Sequence, residues 1–208
     1  MSTLFTAHAK LSLFNPTPKE DPKALLLYRL NKTEIRSAAF YPISHRFKQV
    51  YGDRGLSVQA EGARTLKNHR RLEIWENVEW IYMHGEAHPS GCGIGNTRNK
   101  SRIDILNVSL GLKTIGKVFS NWLYLYAGIG PDLGIVFVEN TMNCGTSKSK
   151  QHKSYLAVGG IFKSGAQVYL TPSFYLSAFA DYLYLPVDFH DTIDIGGLKA
   201  GGGIGARF

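Results

Sequence analysis

Apolar and polar residues alternate with a period of two over most of the chain beyond residue 32. The last stretch, Ile195 to Phe208, is the clearest case. Leu198, Ala200, Gly202, Ile204, Ala206 and Phe208 share one face, and Lys199, Gly201, Gly203, Gly205 and Arg207 the other. A helix does not keep that many glycines, whereas a strand between crowded walls uses them. The same alternation predicts seven earlier strands: Thr33–Tyr41, Leu56–Glu61, Leu72–Met83, Arg102–Ile115, Trp122–Val138, Ser154–Leu170 and Phe174–Leu185.

Their connections alternate in length. Ile43–Arg54, Gly85–Ser101, Glu139–Lys153 and Pro186–Asp194 are long, while those at Lys67–His69, Gly116–Asn121 and Thr171–Ser173 are short. That rhythm, with an even strand count, predicts an all-β, eight-stranded, up-and-down antiparallel transmembrane barrel with both termini at the short-turn end. Pro131 predicts a bulge or bend in the fifth strand, because proline cannot complete a ladder.

The two faces of these strands differ in charge. Glu34, Arg36, Glu61, Glu79, Lys113, Lys163, Asp181, Lys199 and Arg207 fall on faces otherwise rich in glycine and serine. A narrow lumen accommodates them as a polar network if each buried charge finds a partner. The opposite faces are almost free of charge, as lipid requires. Glu76 is the exception, expected near an interface or at a local bulge. A soluble lipocalin-like carrier has the reverse polarity and is one alternative to a membrane barrel.

Composition narrows the picture. The 208 residues suit one domain, 33–208, behind an N-terminal tail, 1–32, that carries Pro16, Pro18 and Pro22. No run of about eighteen apolar residues occurs, so no transmembrane helix is expected. Mean hydropathy of −0.14 agrees with alternating membrane strands. The first residues, MSTLFTAHAKLSLFNP, show no basic stretch leading into an apolar segment, so the sequence places no export signal.

The segments IRSAAFYP (35–42), FKQVYGDRG (47–55), DYLYLPVDFHDTIDIGG (181–197) and GGGIGARF (201–208) resemble small bacterial outer-membrane β-barrels. The likeness is to the OmpA transmembrane-domain and OmpX type, and to outer-membrane barrel proteins of chlamydia-like bacteria. It implies a bacterial outer-membrane location and a monomer. It also implies that the terminal Phe208, with Ala206 and Ile204, forms the signal read by the barrel-assembly machinery. Such barrels serve several activities on one scaffold, so the resemblance does not fix a function.

The net charge of +8 is concentrated in basic clusters. Arg98, Lys100 and Arg102 lie at the second long connection, and Lys148, Lys150, His152 and Lys153 at the third. On an outer rim they would meet the phosphates of lipopolysaccharide or a host surface. No aromatic residues interleave with them, so nucleic acid is not an expected partner. Cys92 and Cys144 fall in two connections on the same side and allow one disulfide, within or between molecules.

Catalytic and metal signals are weak. Ser173 and Ser177 precede His190 and Asp191, the residue types of a lipid A-modifying enzyme, but nothing in the spacing pairs them. His84 and His88 are separated by Gly85 and followed by Pro89, against a helix presenting both to a metal. GCGIG (91–95) lacks the strand-to-helix context of a phosphate loop. No cofactor, metal or catalytic residue is expected. The sequence reads best as a non-enzymatic outer-membrane barrel with a structural or surface-interaction role.

Overall fold

A computed structural model of the protein describes residues 31–66, 69–87, 99–118, 122–144, 147–189 and 191–208. Eight strands close a barrel: β1 (Asn31–Pro42), β2 (Gly55–Leu66), β3 (His69–Ala87), β4 (Asn99–Lys117), β5 (Leu123–Cys144), β6 (Ser147–Tyr169), β7 (Phe174–Tyr184) and β10 (Gly197–Arg207). Each pairs antiparallel with its chain neighbour, and β1 pairs with β10 to complete the ring. One helix, α1 (His45–Tyr51), and a small hairpin of β8 (Pro186–Asp188) and β9 (Thr192–Asp194) lie in two of the outer connections. The eight-stranded antiparallel barrel expected from the alternation is therefore present. The tail 1–30 lies outside the described residues, and the first strand starts two residues earlier than expected.

The closing seam shows why the last strand is glycine-rich. Gly205 faces the ring of Tyr175 from β7, and a Cβ there would lie 2.1 Å from Tyr175 Cζ. At Gly201 a Cβ would lie 2.0 Å from the Ser37 carbonyl of β1. Small residues let the first and last strands meet while bulky side chains fill the lumen. Phe208 stands just past the strand and exchanges two backbone hydrogen bonds with Asn31, at 3.0 and 3.1 Å.

Two local expectations are corrected, and one connection gains a helix. Pro131 makes no bulge: the β4–β5 ladder is interrupted between Ser109↔Asp132 and Leu112↔Ile129, yet the register is the same on both sides. Gly111 and Gly130 bring the backbones close there, so the missing proline N–H opens the ladder without shifting it. A register shift occurs instead at Thr65/Leu66, in the β2–β3 ladder. The stretch Glu139–Lys153 is not a long loop, since β5 and β6 stay paired through Cys144↔Ser147. Its polar residues alternate across a ladder above the apolar belt, where neither face needs to be apolar. Within Ile43–Arg54, Ser44 accepts a hydrogen bond from the Phe47 N–H and starts α1, and Gly52 ends it at φ 85°.

The outer wall has the polarity of a membrane-spanning barrel. Ile35, Val78, Leu110, Ile129, Leu156 and Ile204 all point outward and are exposed. Above them the outward face turns polar at Asp104, Arg102, Glu139 and His152. A soluble carrier would show the opposite arrangement.

Candidate functional site

The inward residues of the lower half, toward the short turns, form an ion-pair network, with a separate pair, Lys199 and Glu79, beside it. Glu61 on β2 is its centre: Lys113 Nζ and Lys163 Nζ each lie 2.6 Å from its carboxylate, and Arg36 Nη1 lies 2.9 Å away. Arg36 also donates to Tyr126 Oη at 2.9 Å, lies 3.2 Å from Asp181, and stacks 3.5 Å over the Phe179 ring. Glu34 accepts hydrogen bonds from Tyr175 Oη and Ser177 Oγ. Across the lumen, Lys199 on β10 meets Glu79 on β3 at 2.6 Å, and Ser57 donates to the same carboxylate at 2.6 Å. All these charged side chains are buried.

The structure thus brings together Glu34, Arg36, Glu61, Glu79, Lys113, Lys163, Asp181 and Lys199. Arg207 sits at the lower end, its guanidinium 5.5 Å from the Tyr169 ring. Sequence reading missed Glu73, which binds Lys32 at 2.6 Å and lies 3.5 Å from Lys113. It also missed Asp132, which shares a register row with Ser109 and Asn77. The signal was available, because Glu73 has the same strand parity as Trp75, Asn77 and Glu79.

The upper half of the lumen is different, and this corrects the expectation of a polar interior throughout. Ile81, Ile103, Ile105, Val136 and Leu183 point inward and pack against Phe47 and Tyr51 of α1 and Val187 and Ile195 around the small hairpin. Helix and hairpin act as a stopper with its own apolar core. Burial pushes the Tyr51 phenol up to about 12, with a smaller contribution from nearby Tyr155.

On the outer rim, two of the basic side chains already hold acids of the same chain. Arg102 bonds Asp104 at 2.7 and 3.0 Å, and Lys150 lies 2.6 Å from Glu139. The hydrogen bond from Lys150 holds the Glu139 carboxyl below the usual carboxylate range. Lys100 and Lys153 are exposed. Lys148 stands opposite Asn143 in the β5–β6 ladder. Arg98 and Cys92 lie outside the described residues, as does the side chain of Cys144, so the disulfide has no geometry here.

The catalytic constellation is not assembled among the described residues. Ser177 is in the lower lumen on Glu34, Ser173 is in a short turn, and Asp191 is at the outer end, 3.4 Å from Arg46. His190, His88 and residues 91–95 lie outside the described residues.

No family model matches the chain, and no curated protein matches it. Among solved structures it is similar to Neisserial surface protein A, at 14% identity over 86% of this chain and 97% of that one, with a TM-score of 0.49. It is also similar to Ail, the attachment invasion locus protein of Yersinia pestis, at 12% identity over 85% and 95%, TM-score 0.42. The N-terminal β-barrel domain of Pseudomonas aeruginosa OprF aligns at 14% identity over 86% and 97%, TM-score 0.38. The fold assignment rests on the strand pairing of this chain itself.

Proposed function

We propose that the protein is a bacterial outer-membrane β-barrel without enzymatic activity that presents a rigid outer platform to anionic surfaces. The observation that carries this reading is the order of layers along the barrel axis. An ion-paired lower lumen and an apolar stopper lie behind an outward lipid-facing belt, and a basic rim follows. Such an interior suits an anchor rather than a pore, because an eight-stranded barrel leaves little space once its side chains are placed.

The surface role falls to the rim. Lys100 and Lys153, with Arg98 and Lys148, are the groups we assign to phosphates of lipopolysaccharide or acidic groups of a host surface. Arg102 and Lys150 would first exchange Asp104 and Glu139 for the ligand. Phe208, Ala206 and Ile204 are assigned to recognition by the assembly machinery. The test is lipopolysaccharide binding by the refolded barrel against the variant Lys100→Ala/Lys148→Ala/Lys153→Ala. Weaker binding with an intact fold is expected, and unchanged binding would contradict the rim assignment.

A further inference from the structure

β6 is paired on one side far beyond the point where it is paired on the other. Its ladder with β5 runs from Ser147 to Val168, whereas its ladder with β7 begins only at Gly160. Among the described residues, the segment 147–159 has no ladder on its β7 side. The base of this edge is covered, since Tyr155 packs edge-to-face on Phe189, ring centroids 4.6 Å apart. Above it Lys150, Gln151, His152, Lys153 and Ser154 are all exposed, so both faces of the strand are open at the same height.

We infer that this edge of β6 is a docking site for an extended, acidic peptide segment, which adds to the sheet as an antiparallel or parallel strand. An open edge offers a row of backbone N–H and C=O groups, the template on which strand addition depends. Its charge selects the guest. Lys150 and His152 share one face and Lys153 the other, with Lys148 at the next register position, while Glu139 is the acid facing them across the β5 ladder. A second copy of this edge would set lysines against lysines, which disfavours self-pairing. A guest with acidic residues at alternate positions would place them beside Lys150 and His152. The inference rests on the outer platform facing the cell exterior.

The experiment uses the full chain refolded in detergent and three fluorescent decapeptides: alternating Glu and Thr, the same peptide N-methylated at alternate residues, and alternating Lys and Thr. The Glu peptide is expected to bind and to slow amide exchange at 150–154. N-methylation should weaken binding at least tenfold at unchanged charge. The variant Lys150→Glu/Lys153→Glu should reverse the preference toward the Lys peptide. Equal binding of the N-methylated peptide would mean a simple polyanion surface and overturn strand addition, as would no binding of the Glu peptide or no exchange protection. Lipopolysaccharide binding measured on the same preparation separates failure of the edge from failure of the rim assignment.

Discussion

The Lys199 ammonium on the last strand lies 2.6 Å from the Glu79 carboxylate on β3, across the lumen, and neither side chain reaches solvent. This pair joins strands that are not ladder neighbours. Removing one partner strands a buried charge, which costs about 3–5 kcal/mol. Lys199→Met alone is expected to lose that much in urea unfolding from lipid vesicles. The double variant Lys199→Met/Glu79→Met should recover most of it. Equal stability of the single variant and the parent would show that the pair is not buried in the folded barrel.

The apolar stopper gives a second test. Ile105 is fully buried in the upper lumen, so Ile105→Ala should cost about 2–5 kcal/mol by cavity formation. Leu110, on the outward face, should tolerate Ala far better but not Arg, which at the bilayer midplane costs about 2–4 kcal/mol. The reverse order of sensitivities would place the lipid on the wrong side of the wall.

Closure depends on Gly201. A methyl group there would meet the Ser37 carbonyl at 2.0 Å, so Gly201→Val should force the seam open or shift its backbone, at about 1–3 kcal/mol. Refolding yield and thermal stability in detergent would report it. A variant indistinguishable from the parent would argue against the β1–β10 seam.

Alkaline pH probes the cap. Tyr51 has its phenol pushed from an ordinary value near 10 to about 12. Between those values the unfolded chain releases this proton and the folded one keeps it. The unfolded state then binds fewer protons, so stability falls as pH rises from about 10 to about 12. Tyr51→Phe should remove this part of the alkaline sensitivity, read as amide exchange of α1 against pH.

The waist of the barrel was legible in the sequence because lipid and a charged lumen force strict alternation there. Glu34 and Arg36 against Ile35 and Ser37 already state which way β1 faces. The upper half was not legible, because Ile103 and Ile105 point inward to an apolar core while Arg102 and Asp104 point outward above the lipid belt. The polarity of the two faces is reversed there, so parity labels the wrong face as the lumen. The β5–β6 extension failed for another reason, both faces being polar, so a paired ladder read as a loop. The helix left a usable signal in Ser44, Phe47, Tyr51 and Gly52, which have the spacing of a cap, one buried face and a stop. At the rim, the neighbours of Arg102 and Lys150 come from register, which composition does not contain.

A closed barrel with lipid outside and charge inside can be read on one SDS gel, by refolding the chain into detergent and running unheated and boiled samples side by side. A faster-migrating unheated band, lost on boiling, is the predicted result, because a closed ladder resists SDS until heated. Identical migration of the two samples, with the protein soluble without detergent, would contradict it.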